Sequence, residues 1–476
     1  MTLTHPNPWT ASDIIEATRG TLLSEGSVHA FAGICIDSRA IMPGDCFLAI
    51  RGETHDGHSF IPEVLKKGVK GLIIQSGQAY EIEVTGQETP SVLCIGVPDT
   101  LAALGALAGY HRKRSDVSVV AITGSNGKTS TRTMAAAVLS KRFHVLSPEG
   151  NFNNEVGLPL TLLRLNSSHE WAVLELGMNH PGEIGRLGEI CRPDIGLITN
   201  IGPAHLEGLG SLEGVMHAKG ELIEKVKPGG KILLNADDPM TENLMQKTAA
   251  TPLLFGSSAD ADVRATELSA HPAGVSFTLH IGQEAIRVNL RVPGTFMSIN
   301  ALAAAAVGHA VGIPIAEIAA ALESFAPIKG RMNLYRTGGG FNIIDDTYNA
   351  NPGSVKAALT ALKGLKKEHR GLVVLGDMLE LGNASWDLHR EIGVFAARAG
   401  VSRLYVTGAF ADAVVQGAQQ GGMAPVNTFV GDKEAIFADL VRHFNPGDWL
   451  LIKGSRGMRM ETLVKALMDE LNKGQS

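Results

Sequence analysis

The run Ala121 to Ser130 reads A-I-T-G-S-N-G-K-T-S, after the apolar Val117-Ser118-Val119-Val120 and before a helix-forming stretch, Arg132 to Leu139. A strand that enters a glycine-rich turn, with a lysine and a hydroxyl at the next helix start, is built to cradle nucleotide phosphates. The cradle would run from Thr123 to Ser130. Gly124 and Gly127 let its backbone N–H groups, those of Ser125 and Asn126 among them, turn inward where a Cβ would interfere. Lys128 would reach the β/γ-phosphates and Thr129 would ligate Mg²⁺. The longer G-x-x-x-x-G-K-[ST] pattern would need glycine at Ile122, so this loop is the compact T-G-x-x-G-K-T form. The expected ligand is ATP or a close relative.

Three further residues could carry chemistry beside that loop. Glu175 closes the apolar run Trp171-Ala172-Val173-Leu174, where P-loop enzymes place an acid that holds Mg²⁺ directly or through water. A strand-end glutamate without a role is the plainer alternative. His205 lies in Asn200-Ile201-Gly202-Pro203-Ala204-His205, past another strand. Mg²⁺ prefers oxygen, so His205 reads equally as a packed loop histidine and as a metal ligand. Lys219, in His217-Ala218-Lys219-Gly220-Glu221, has three readings. It is a solvated helix lysine, an ammonium that neutralises phosphate, or an amine converted by CO₂ to a carbamate, a carboxylate mimic able to bind a second metal.

The elements that must position these groups follow from periodicity. From Met1 to about Arg112, short β runs such as Gly33–Ile36 and Cys46–Ile50 alternate with modest helices, and His111-Arg112-Lys113-Arg114 reads as an exit linker. From Ser115 to about Pro327, apolar strands recur with helices between them: Val117–Thr123, Trp171–Leu176, Ile195–Asn200 and Lys231–Asn235. That rhythm predicts a parallel sheet covered on both faces. Thr123, Glu175 and Thr199/Asn200 end their strands and should meet in one crevice. Short alternating strands between Ala261 and Val292 read as an antiparallel appendage. The βα rhythm resumes after Lys329-Gly330-Arg331, with strands at Phe341–Asp345, Gly371–Leu375, Arg403–Val406 and Trp449–Lys453. The fold class is therefore α/β in three domains: a small N-terminal α/β domain (1–112), a central P-loop domain on a parallel sheet (113–328) and a C-terminal Rossmann-like domain (329–476).

Composition narrows the function classes. A net charge of −6 and 5 % aromatic residues give no footprint for nucleic acid. The four cysteines lack C-x-x-C spacing, which suits free thiols in a reducing compartment. The first ten residues have neither a basic n-region nor an apolar h-region, and no stretch has the length of a membrane span. A cytoplasmic enzyme is expected. GTPase signatures are missing: there is no N-K-x-D and no D-x-x-G after the second strand.

In order and spacing, these residues resemble the Mur ligase family, ATP-dependent amide-bond ligases of peptidoglycan precursor assembly. The likeness spans Thr123–Thr129, Glu175, Asn200–His205 and Lys219. It continues through Asn300 in S-I-N-A-L, Arg331 in K-G-R and Asp346 in D-D-T-Y-N-A-N-P. Three features are similar to the branch that adds a dipeptide: Gly150-Asn151-Phe152-Asn153-Asn154-Glu155, the D-x-Y-N-A-N-P segment, and Gly376-Asp377-Met378-Leu379-Glu380-Leu381-Gly382. No D-N-P-R motif of the diaminopimelate-adding relatives occurs. Asp37-Ser38-Arg39 and His55-Asp56-Gly57-His58 resemble the module that holds the UDP end of the substrate.

The resemblance implies that Glu175 and His205 help Thr129 bind Mg²⁺, and that Lys219 is the carbamate candidate. Asn300 would read adenine, and Arg331 and Asp346 would reach ATP as the third domain closes. Ser38 and Arg39 would bind the UDP end of the substrate, and Asn153 and Asn154 would face its muramoyl part. Tyr348, Asn349, Asn351 and Glu380, with Lys453-Gly454-Ser455-Arg456, would serve the third-domain side. For Asn351-Pro352-Gly353-Ser354, a helix start is the plainer reading. The implied substrates are UDP-MurNAc-tripeptide, D-alanyl-D-alanine and ATP, the implied reaction passes through an acyl phosphate, and a monomer is expected. Two other readings share the motifs: a family member adding a single amino acid, and a UDP-sugar-binding protein using ATP as a switch.

Overall fold

The structure is a computed structural model that describes residues 8–52, 55–77, 92–148, 150–271, 273–337 and 339–473. The first seven residues, part of the stretch read for a leader, lie outside them. No described helix is long and apolar enough to cross a membrane.

The N-terminal region carries a five-stranded sheet in the order Thr21–Ser24, Leu93–Val97, Gly71–Gln75, Cys46–Leu48, Ile34–Cys35. Only its first pair is antiparallel. Ile41, Phe47, Val64 and Leu72 fill the core on one face. On the other face, Leu104 and Leu107 of helix Thr100–Lys113 share a continuous core with Val119, Ala121 and Leu174 of the central region. The basic cluster expected to be a linker is therefore the end of this helix. Arg112 is buried, and its guanidinium donates to the carbonyls of Cys191 (3.1 Å) and Ser115 (3.2 Å). A guanidinium with partners on another unit pins that unit, so the cluster fastens the two regions together.

The central sheet has nine strands. In spatial order they are Glu284–Leu290, Gly274–Ile281, Val263–His271, Leu253–Gly256, Lys231–Asn235, Ile195–Ile198, Ser118–Thr123, Trp171–Glu175 and Val145–Leu146. From Val263–His271 onward every pairing is parallel. The stretch read as an appendage instead extends this sheet: Val263–His271 pairs parallel with Leu253–Gly256, and two antiparallel strands follow. Ser118–Thr123 lies between Ile195–Ile198 and Trp171–Glu175, so the three strand ends expected to converge are immediate neighbours.

The third region has a six-stranded sheet in the order Asn333–Arg336, Asn342–Asp346, Trp449–Lys453, Gly371–Leu375, Arg403–Val406, Thr428–Val430. All but the first strand run parallel. The last strand in sequence, Trp449–Lys453, inserts between Asn342–Asp346 and Gly371–Leu375. This reversal makes a switch point at the carboxyl ends of Asp346 and Lys453, where open α/β sheets bind ligands.

Candidate active site

The P-loop helix begins at Lys128, four residues earlier than the apolar periodicity indicated, because Lys-Thr-Ser-Thr forms its first turn. Gly124 and Gly127 both have positive φ (144° and 82°). A Cβ on Gly124 would lie 1.9 Å from Thr199 Oγ1, and one on Gly127 would lie 2.1 Å from Asn300 Oδ1. The glycines thus admit neighbouring polar side chains as well as the turn itself. Asn200 fixes the loop from the next strand, accepting from the Asn126 N–H (3.0 Å) and donating to the Asn126 carbonyl (3.1 Å). Thr199 Oγ1 donates to the same carbonyl at 2.6 Å, and Ser125 exchanges hydrogen bonds with Gly202. The Thr199/Asn200 strand end therefore shapes the cradle from behind.

In front of the cradle is a cavity of about 650 Å³ walled by Ser125–Ser130, Glu175, His205, Asn153, Asn154 and Asn300 on the central side. The third region contributes Arg331, Asp346, Tyr348, Asn349, Asn351 and Glu380. Thr129 Oγ1 donates to Glu175 Oε2 (2.9 Å) and accepts from Arg331 Nη2 (2.8 Å). Asn153 Nδ2 donates to the other Glu175 oxygen at 2.9 Å. Glu175, 2 % exposed, is thus a buried carboxylate with hydrogen-bond donors on both oxygens. Lys128 Nζ donates to the Gly124 carbonyl at 2.8 Å, and burial lowers its pKa against the opposing pull of Glu175. An ammonium stripped of water in this way has much to gain from an anion.

Asp346 accepts from Lys453 Nζ (2.5 Å) and from the Met332 N–H (3.2 Å). Arg331 stacks over the Tyr348 ring, its Cζ 4.1 Å from the centroid. Asn351 combines the plain and the functional geometry. Its side chain caps helix Pro352–Lys366 by accepting from the Ser354 N–H (2.9 Å), while Nδ2 donates to Asn126 Oδ1 of the P-loop (2.9 Å). Asn349 accepts from Lys453 Nζ through its carbonyl at 2.9 Å.

Several expected residues lie outside the cavity or have other partners within it. Thr123 is fully buried and donates to the Leu176 carbonyl (2.9 Å), so its hydroxyl serves the sheet, and neither it nor Gly124 lines the cavity. Asn154 does line it, but its Oδ1 accepts from the Gly157 N–H (2.9 Å) at the start of helix Gly157–Leu162. Asn300 contacts Met297 Sδ at 3.5 Å and rests against Gly127. Ser38 and Arg39 sit in the N-terminal region outside this cavity. The Ser38 carbonyl accepts from Lys67 (2.7 Å), and the exposed Arg39 pairs with Asp37 (2.8 Å).

Lys219 is 1 % exposed, which removes the solvated-helix reading. It makes no hydrogen bond or ion pair among the described residues. Burial, and secondarily the neighbouring charge of Lys128, push its pKa far down, toward the neutral amine that CO₂ requires. His205 adopts φ 57°, and its Nδ1 lies 2.6 Å from Glu380 Oε2 of the third region without an aligned hydrogen bond. That neighbour holds the Glu380 carboxyl below its ordinary range.

Sequence reading missed Arg132. It is buried on the P-loop helix, its Nη1 donates to the Gly150 carbonyl (3.0 Å), and it stands 3.9 Å from Glu175 Oε2. Its position three residues after Thr129 placed it on the same helix face, which was the available signal.

A compact phosphate cradle on a parallel sheet, closed over by a second α/β unit that brings its own arginine and lysine, defines an ATP-dependent ligase architecture. Comparison with known proteins bears this out. Residues 30–112 match the Mur ligase family catalytic domain, 122–308 the Mur ligase middle domain, and 330–456 the Mur ligase glutamate ligase domain. The chain belongs to the Mur ligase family.

It is 33 % identical over 463 residues to the UDP-N-acetylmuramoyl-tripeptide–D-alanyl-D-alanine ligase of Bacillus subtilis, covering 97 % of this chain and 98 % of that one. A crystal structure of MurF from Acinetobacter baumannii superposes with a TM-score of 0.89 at 32 % identity, covering 98 % of this chain and all of that one (100 %). The MurF ligase of Thermotoga maritima in complex with ADP gives 0.81 at 27 % identity over 93 % of this chain and 98 % of that one.

Proposed function

We propose that this chain joins D-alanyl-D-alanine to UDP-MurNAc-tripeptide with ATP, forming the UDP-MurNAc-pentapeptide precursor, and does so in the cytoplasm. The observation that carries the reading is Arg331 of the third region donating to Thr129 of the P-loop, with Glu175 on the same hydroxyl. The full-length likeness to dipeptide-adding ligases supports the acceptor. The division at 112 and 328 assigns the UDP end, ATP and the dipeptide to successive domains.

A carboxylate resists nucleophiles, so it must first be activated. In the proposed reaction an oxygen of the tripeptide's terminal carboxylate attacks the γ-phosphorus and ADP departs. The dipeptide's free amine then attacks the acyl carbon, the tetrahedral intermediate collapses, and phosphate leaves with that carboxylate oxygen. The first step brings two anions together, so its barrier is largely electrostatic. Lys128 and the N–H groups of the cradle offset the repulsion, and Arg331 adds positive charge from the closing side. Asn153, held by Glu175, and Arg132, held to Gly150, position the loop that would carry the tripeptide.

Thr129 and Glu175 present hydroxyl and carboxylate oxygens side by side, a donor set that suits Mg²⁺. Among the described residues there is no cluster of three or more His, Cys, Asp or Glu side chains, so phosphate oxygens and water would complete the shell. When bound, Mg²⁺ would neutralise phosphate charge. His205 is proposed beside that ion, Asn300 at the nucleotide, and Lys219 as a carbamate, which its neutral buried amine favours.

The test is isotopic. Tripeptide carrying ¹⁸O in its terminal carboxylate should deliver one labelled oxygen into the released phosphate. Unlabelled phosphate would sink the acyl-phosphate route.

A further inference from the structure

Domain closure is part of the proposed reading; which residue senses and holds it is a separate matter. The third region meets the central one at a small clasp formed by Glu380. Its backbone carbonyl accepts from the Glu207 N–H (3.1 Å), and its carboxylate lies 2.6 Å from His205 Nδ1. Both Glu380 (φ 65°) and His205 (φ 57°) are non-glycine residues in the left-handed region, which non-glycine chains adopt only where surroundings dictate it. Next to them, Gly382 (φ 55°) packs so closely that a Cβ would lie 3.1 Å from Glu207 Cα.

The loop that presents Glu380 is braced from within its own domain. The Met378 N–H donates to His389 Nε2 (2.9 Å), and the Leu379 N–H donates to Ser455 Oγ (2.8 Å). The Asp377 carboxylate accepts from the N–H groups of Ala409 (2.7 Å) and Phe410 (3.1 Å). Ser455 Oγ also donates to the Ala350 carbonyl (3.2 Å), next to Asn351, which reaches the P-loop. One rigid third-domain network thus carries both contacts to the central domain.

From this geometry we propose that Glu380 is a positioning residue: its carboxylate engages His205 only in the closed form and so couples closure to the orientation of the imidazole beside the phosphate site. The contact occupies Nδ1 and leaves Nε2 as the ring's polar atom for the cavity that His205 lines. The Glu380 side chain is 52 % exposed, so its removal does not threaten the fold, and the Glu207–Glu380 backbone contact survives substitution. The inference deepens the proposed ligase reading at its nucleotide site.

The test reads closure directly. Dyes on Leu268→Cys and Val426→Cys, both exposed and outside the cavity, report the central-to-third-domain distance in single molecules. Cys35, the one thiol that is not buried, is replaced by serine. Distances are measured with and without a non-hydrolysable ATP analogue and Mg²⁺. Glu380→Ala should shift the open-to-closed ratio toward open by about fivefold, as expected when a half-exposed carboxylate is removed from its partner. Glu380→Gln should recover part of the shift. With His205→Asn already in place, Glu380→Ala should add almost nothing, because the two side chains act as one unit. In turnover, Glu380→Ala should lower kcat by about fivefold while the KM for UDP-MurNAc-tripeptide changes by less than about twofold. Identical distance distributions for Glu380→Ala and the parent, or additive effects of the two substitutions, would overturn the proposal. The closure measurement needs no acceptor, so it stands apart from whether D-alanyl-D-alanine is the amine.

Discussion

Replacing Lys128 by methionine keeps the aliphatic stem and removes one charge at the centre of the cradle. Lys128 is half-buried, its ammonium donates to the Gly124 carbonyl at 2.8 Å, and dehydration destabilises the charge. A phosphate oxygen about 4 Å away, at an effective dielectric of about 20, interacts with such a charge by about 4 kcal/mol. That is close to three decades in rate if the interaction acts in the transition state, and it agrees with the ~3–4 kcal/mol lost when an oxyanion donor is removed. The orphaned Gly124 carbonyl costs about 1–3 kcal/mol of stability, while an ammonium no longer has to be dehydrated. The net change in Tm should therefore be a few degrees at most. The assay is phosphate release under saturating ATP, UDP-MurNAc-tripeptide and D-alanyl-D-alanine, with substrate binding measured separately by calorimetry. The expected result is a kcat lower by about a hundred- to thousandfold, with UDP-MurNAc-tripeptide affinity within about threefold. A kcat within about tenfold of the parent would refute the electrostatic role of the cradle.

Lys219 gives a pH test in bicarbonate-free buffer. Its folded pKa is depressed, so the unfolded chain binds a proton that the folded chain does not. Stability then rises with pH from the folded pKa up to the ordinary lysine value of about 10.4. Chemical denaturation should show Lys219→Met more stable than the parent at neutral pH, with the gap closing as pH approaches that value. Bicarbonate should raise the Tm of the parent and leave Lys219→Met unchanged, since a carbamate would turn repulsion from Lys128 into attraction; equal responses would remove the carbamate. Asn351→Ser keeps an N-cap but is too short for the bridge to Asn126, so kcat should fall with Tm unchanged. Asn351→Ala should also lose about 1 kcal/mol of stability, read by denaturant titration. Arg132→Met should raise the KM for UDP-MurNAc-tripeptide several-fold by releasing the Gly150 loop, and calorimetry of that substrate checks it.

Much of the central domain was legible because its strands are buried on both faces and read as apolar runs: Val119–Ile122, Ala172–Leu174 and Ile195–Ile198 needed no long-range information. The cradle was legible because its chemistry is local. What escaped depends on tertiary partners. His111-Arg112-Lys113-Arg114 looks like a solvated charge cluster until Cys191 and Asp194 are brought to Arg112. Thr123 has the right position for a phosphate loop, yet its hydroxyl faces the neighbouring strand's Leu176 carbonyl. The strands from Val263 onward alternate like a free antiparallel unit, and the short pairing of Val263 and Arg264 with Phe255 and Gly256 ties them to the main sheet. Arg132 offers only its place on the Thr129 face of the helix, and Glu380 only its motif; their partners Gly150, Glu175 and His205 lie far along the chain.

The most direct measurement is phosphate release from ATP, Mg²⁺ and UDP-MurNAc-tripeptide, with and without D-alanyl-D-alanine, followed by mass analysis of the UDP product. The account predicts release that depends on the dipeptide, one phosphate for each UDP-MurNAc-pentapeptide formed. Release that ignores the dipeptide but responds to a single amino acid, or to no amine at all, would contradict it.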